Sequence, residues 1–169
     1  MIKNFTFIFL ILILMFTSCK DKLIVQKTSV NKFTYKNLEI NIPENFNPDK
    51  LIKNKWVDKE TGLSLNIEIE YSVTQLDNYV KNMMKMINKV YNDYKIIKIE
   101  KSGVNIRTLF SEIKIKNKIL NFYMIIIKLD NSKVIVTIGG DKKVFNKNEY
   151  SDFVKNIKIK RSVQDENSK

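Results

Sequence analysis

From Leu63 to Tyr71 the chain alternates: Leu63, Leu65, Ile67, Ile69 and Tyr71 are apolar, and Ser64, Asn66, Glu68 and Glu70 between them are polar. A period of two sustained over this length describes a strand with one face packed and the other wet. The period then changes. Leu76, Val80, Met83, Ile87, Val90 and Tyr94 recur at steps of four and three, the stripe of an amphipathic helix over Ser72 to Asp93. Thr74, with Asp77 three residues later, reads as its capping box, and Lys81, Lys85, Asn88, Lys89 and Asn92 as its solvated side. A half-buried strand followed at once by a one-sided helix commits the chain to packing a helix on a sheet. Met83, Met84 and Met86 admit two readings, an adaptable binding surface or a core stripe, and the core stripe is expected because Met83 continues the face of Leu76 and Val80.

The other strands follow from the same pattern. Leu38, Ile40 and Ile42 face one way and end at Pro43, which cannot donate to a ladder. Lys55 to Asp58 pairs with the alternating strand through a turn at Lys59-Glu60-Thr61-Gly62. Lys95 to Glu100 leads through Ser102-Gly103 into Val104 to Lys116, where the apolar phase shifts between Ile106 and Ile113 and predicts a bulge near Leu109 to Ser111. Leu120 to Leu129 is apolar on both faces around Met124 to Ile127 and is an interior strand. Asp130-Asn131-Ser132 turns it into Val134 to Ile138. A short second helix, about Lys147 to Asn156, turns Tyr150, Phe153, Val154 and Ile157 inward, and Ile157 to Ile159 returns to the sheet. The expected fold is α+β, a mostly antiparallel β-sheet flanked by one long and one short helix.

The N-terminal segment has a different character. An apolar run from Phe5 to Phe16 follows Lys3, and at 12 residues it is too short for a spanning helix and of the length of a signal-peptide core. Phe16-Thr17-Ser18-Cys19, which ends in the chain's one cysteine, resembles the lipobox of bacterial lipoprotein signal peptides. That resemblance implies cleavage between Ser18 and Cys19, a diacylglycerol on the Cys19 sulfur and often a further acyl chain on the new N-terminus. Two or more chains anchor stably where one does not. The chain is therefore divided into a signal peptide (1–18), a lipidated tether (19–32), one globular domain (33–160) and a disordered tail (161–169).

Removing 18 of 169 residues leaves 151, enough for one domain with its own core. With Cys19 acylated no thiol remains for a disulfide. Losing Lys3 leaves 29 basic residues against 18 acidic ones, a formal charge of +11. Nucleic acid is not the expected partner: Arg107 and Arg161 are the only arginines, and the lysines are spread along the whole chain.

The absence of histidine removes the usual general base and the commonest metal ligand. Two S-x-x-K spacings, Ser29 to Lys32 and Ser111 to Lys114, fall in the tether and in a strand rather than on a helix. Gly139-Gly140-Asp141-Lys142 lacks the spacing of a phosphate loop and reads as a flexible turn. Asp58 with Glu60 lacks an oxygen-rich calcium loop. Glu68 and Glu70 read as a wet strand face balanced by lysines such as Lys114 or Lys116. No catalytic residue, cofactor or metal site is expected.

Phe33-Thr34-Tyr35-Lys36-Asn37-Leu38-Glu39-Ile40-Asn41-Ile42-Pro43-Glu44-Asn45-Phe46 is similar to the first hairpin of the PsbP-like and DcrB-like α/β/α sandwiches, and the helix from Thr74 and the final helix before Ile157 fit their layout. The resemblance implies a largely non-enzymatic domain that binds, assembles or stabilises other proteins, often as an envelope lipoprotein. The expected function is that of a membrane-anchored, non-catalytic binding or assembly module with an envelope protein as partner. The alternative is an electrostatic binder of anionic lipid or acidic envelope polymers.

Overall fold

A computed structural model describes residues 31–91, 93–146, 150, 153–154 and 157–159. The expected signal peptide with Ser18 and Cys19, most of the tether, most of the second helix and the tail lie outside the described residues. Ten strands and one long helix are seen among those described: β1 (Lys32–Tyr35), β2 (Leu38–Asn41), β3 (Phe46–Pro48), β4 (Lys55–Asp58), β5 (Ser64–Tyr71), α1 (Leu76–Val90), β6 (Tyr94–Lys101), β7 (Ile106–Ile115), β8 (Lys118–Leu129), β9 (Ser132–Asp141) and β10 (Ile157–Ile159). The fold is α+β with antiparallel strands, as the alternation predicts. β1 starts at Lys32, one residue inside the expected tether.

The strands form two sheets rather than one. Seven make the order β3-β4-β5-β9-β8-β7-β6, and β1, β2 and β10 make a separate small sheet. β10 therefore returns to β2, pairing Ile157 with Ile40, and not to the main sheet. The small sheet packs Phe33, Tyr35, Leu38 and Ile40 onto one face of the large one, against Leu65, Ile67, Tyr123, Ile125, Ile127, Val134, Val136 and Ile138, with Tyr150 and Phe153 in the same cluster. The other face carries α1, whose Leu76, Tyr79, Val80 and Met83 close over Leu109, Ile126 and Ile135. β8 lies between these layers, and Ile125, Ile126 and Ile127 are all fully buried.

The register corrects two sequence expectations. β7 pairs with β8 without interruption from Ile106 to Ile115, and the irregularity lies across the sheet in β6, between Ile96 and Lys98. The phase change in β7 has a different origin: Arg107, Thr108 and Ser111 are polar yet buried, so polarity does not report exposure there. Gly139 and Gly140 are not a turn but the end of β9. A Cβ on Gly139 would sit 2.5 Å from the Phe122 ring, and one on Gly140 2.4 Å from the Leu63 side chain, so the missing side chains let these two residues lie against the strand.

The large sheet has two distinct ends. One carries the two-residue β7–β8 turn, with Lys116 at φ 54°, and the C-terminal end of α1. The other carries the β8–β9 turn, with Asp130 at φ 44°, the β6–β7 turn and the start of α1.

Candidate functional site

A cluster of mutually bonded charged side chains gathers at the second of these ends, where α1 begins. Thr74 is not the helix cap: Gln75 holds that position without a side-chain bond, and Asp77 turns away from the helix backbone. Its carboxylate accepts from Arg107 Nε at 2.7 Å and from Lys101 Nζ at 3.1 Å. Two cationic donors thus take the carboxylate that a capping box would have used. The Arg107 guanidinium, with Lys101 beside it, holds the Asp77 carboxyl down at about 2. That contribution to stability is complete above the ordinary value of 3.8 and is lost as the pH falls toward 2.

Arg107 also donates through Nη1 to the carbonyls of Gly103, Val104 and Ile106, at 3.0, 3.3 and 2.9 Å. Gly103, at φ 73°, supplies the left-handed residue that turn requires. One arginine thus ties the start of α1 to the β6–β7 turn.

A second group lies under α1 on β5 and β9. Glu70 stands directly across from Lys133. Lys133 is 0% exposed. Its ammonium donates to the Ser72 carbonyl at 2.7 Å and lies 4.8 Å from the centre of the Tyr79 ring. The Tyr79 hydroxyl donates to Glu70, and the Asn66 amide donates to Glu68 at 2.6 Å. Burial lowers the Lys133 pKa, opposed by the charge of Glu70. Burial, then the neighbouring Glu70, raises Glu68, and burial with the bond to Glu70 pushes the Tyr79 phenol well up.

Glu68 and Glu70 are therefore not a wet face but half-buried, and the cation facing Glu70 is Lys133 rather than Lys114 or Lys116. Those two lysines sit at the far end of β7, a strand that does not pair with β5. The arrangement fastens the β5–α1 loop to β9. Lys133 is too enclosed to meet a substrate.

The other sequence candidates are structural or are kept apart. Asp58 accepts from the Thr61 hydroxyl at 2.6 Å, the Glu60 amide at 2.9 Å and the Asn45 amide at 3.1 Å, which closes the β4–β5 turn and lowers its pKa. Ser111 is buried and Lys114, three residues along the same strand, points to the opposite face. Lys32 pairs with Glu39 at 2.7 Å, while Ser29 lies outside the described residues. Among the described residues no group of three or more acidic or cysteine side chains could hold a metal ion.

Beside the exposed charges of Asp77, Lys101 and Asp130, this braced end also offers apolar side chains to solvent. Val73, in the β5–α1 loop, is 80% exposed and Val104, in the β6–β7 turn, is 86% exposed, with Tyr71 half exposed nearby. Sequence reading missed two groups, Arg107 with Asp77 and Lys101, and Lys133 with Tyr79 and Glu70. The one available signal was Arg107, the sole arginine before Arg161.

No protein-family model and no curated protein matches the chain. Chains among the solved structures do match it, and they include the crystal structure of PA94, a protein of unknown function from Pseudomonas aeruginosa. That likeness has 14% identity and a TM-score of 0.45, and covers 71% of this chain and 88% of PA94.

Proposed function

We propose that this chain is a bacterial envelope lipoprotein, anchored through Cys19, whose α+β domain is a non-catalytic module for binding or assembling another envelope protein. The anchor rests on Phe16-Thr17-Ser18-Cys19 after a 12-residue apolar run. The opening hairpin's likeness to the PsbP-like and DcrB-like sandwiches supports the same class. The observation that carries the binding role is the contrast at the start of α1. There the charged groups are bonded to one another and to backbone, while Val73 and Val104 are presented to solvent on segments those bonds hold in place. Apolar side chains on a rigid end favour a protein partner, since little entropy is lost on docking.

The anchor is tested by detergent phase partitioning of the native protein and of Cys19→Ala. Transfer of the variant to the aqueous phase is expected, and its retention in detergent would make the apolar run itself the anchor. The binding role is tested by crosslinking in intact cells and recovery at high salt, where contacts made by apolar burial persist and purely ionic ones fade. A defined envelope protein that is lost with Val73→Asp and Val104→Asp is the expected result. Recovery of nothing but salt-labile lipid or polymer would overturn it in favour of a charge-driven binder.

A further inference from the structure

We infer that the domain rests on an anionic phospholipid surface by the end that carries the β7–β8 turn, with Lys114, Lys116, Lys118, Lys142 and Lys143 against the headgroups. The inference builds on the lipid-anchor reading and adds an orientation to it. The first support is placement. The Lys142 amide donates to the Ile119 carbonyl at 2.9 Å, which sets the turn after β9 beside the β7–β8 turn, and all five lysines are exposed. Asp58 and the exposed Glu60 of the β4–β5 turn lie at this end, and three more carboxylates lie beside the lysines themselves. Glu112 is engaged by Lys142 at 2.7 Å, Asp141 accepts from the Lys143 amide at 3.0 Å, and Asp93 lies next to Lys114, whose amide donates to its carbonyl at 3.3 Å.

Aliphatic side chains are interleaved with these lysines. Val144 is 41% exposed, and Ile115 and Ile119 are half-buried between Lys114, Lys116 and Lys118. Basic and aliphatic groups side by side suit the boundary between headgroups and acyl chains, where attraction to anionic lipid adds to apolar burial.

The third support is where the chain toward Cys19 leaves the domain. Asn31 accepts from the Ile42 amide at 2.8 Å, and Ile42 leads through Pro43 to Phe46, which pairs with Asp58. Asp58 closes the turn into Ser64, and Ser64 stands across from Gly139 of β9, two residues before Asp141. The β1–β2 turn points the other way, with Lys36 Nζ 3.8 Å from Asp130 in the β8–β9 turn. Thus the 14 residues from Cys19 to Lys32 join at the lysine-bearing end, and a domain held there presents Val73 and Val104 away from the membrane.

The test reconstitutes the lipidated chain into vesicles of phosphatidylglycerol and phosphatidylcholine, or of phosphatidylcholine alone, with a fluorophore on a cysteine introduced as Asn117→Cys or Val104→Cys. Lipid-borne quenchers are expected to quench the probe at 117 and spare the one at 104 in the anionic vesicles. Lys114→Glu, Lys116→Glu and Lys118→Glu together should erase that difference. Equal quenching at both positions would overturn the inference.

The two readings separate in the unlipidated Cys19→Ala chain, which should sediment with anionic vesicles on the order of tenfold more tightly than its triple-glutamate form at low salt. If the native chain proves unacylated while this binding holds, the anchor reading falls and the lysine surface stands. If the chain ignores anionic vesicles but binds a soluble acidic polysaccharide, the lipid surface is the wrong partner and the inference fails.

Discussion

The two faces of the seven-stranded sheet are built from the same strands, one residue out of phase, yet they are closed in different ways. The face under β1, β2 and β10 is an unbroken apolar layer through Leu65, Ile67, Ile125, Ile127, Val134, Val136 and Ile138. The face under α1 has a narrower apolar strip, Leu109, Ile126 and Ile135, flanked by Asn66, Glu68, Glu70, Lys133 and Arg107. A single helix is about 10 to 12 Å across, while seven strands at about 4.8 Å spacing are nearly three times as wide. One helix therefore covers only a stripe, whereas on the other face Phe46, Trp56, Phe145, Tyr150 and Phe153 extend the cover beyond the three-stranded layer. Beside the stripe, polar groups are retained because bonds to one another and to backbone offset their loss of water.

The largest test of that comparison is Ile126→Asp. It would bury a carboxylate beneath the stripe, across from Arg107, whose guanidinium is already bonded to Asp77 and to three carbonyls, at a cost comparable with the roughly 5 to 15 kcal/mol that stabilises a whole domain. No cooperative melting transition is expected; a soluble, cooperatively melting variant would show that the helix face opens to water.

A graded version compares Ile125→Ala with Ile135→Ala. Ile125 is fully enclosed between the two sheets and should cost about 3 to 4 kcal/mol. Ile135, 8% exposed beside α1, should cost about 1 kcal/mol less, because its surroundings can relax. Equal losses by chemical denaturation would mean that the helix closes its face as tightly as the small sheet closes the other.

The smallest expected effect is at Glu68. Its folded pKa is raised, first by burial and then by Glu70, so the fold is most favoured while Glu68 is protonated. That advantage is complete below the ordinary value of 4.5 and lost as the pH rises through the elevated folded value. Glu68→Gln keeps an acceptor for the Asn66 amide and removes the charge. It should stabilise by up to about 1 kcal/mol at pH 7 and change little below pH 4. A lower melting temperature at pH 7 would mean that the fold favours the ionised Glu68 over a neutral side chain.

Much of this was legible in the residues. The spacing of Leu76, Val80 and Met83 places α1 on the sheet, and Met124 to Ile127, apolar at every position, marks β8 as interior. Where the reading failed, polarity had been equated with exposure. Glu68 and Glu70 alternate with apolar residues as a wet face does, and Lys133 follows a turn as a surface lysine does. The Gly139-Gly140 pair has the composition of a turn, yet its purpose is to let Phe122 and Leu63 lie against the strand. The candidate site was the least legible part, since Cys19 lies outside the described residues and the groups at Arg107 and Lys133 have no local signature.

The sequence by itself determined which segments are strands and which is the long helix, because period is a local property of neighbouring residues. It also determined that stability comes from packing, since a chain with one cysteine closes no internal disulfide. Only the tertiary structure decided that the strands divide into two sheets, and that β10 closes on β2. It alone decided which polar residues are enclosed, and which end of the domain collects lysines beside the point where the chain enters. Those facts depend on contacts between residues as far apart as Ile40 and Ile157, and no local pattern encodes a pairing over that distance.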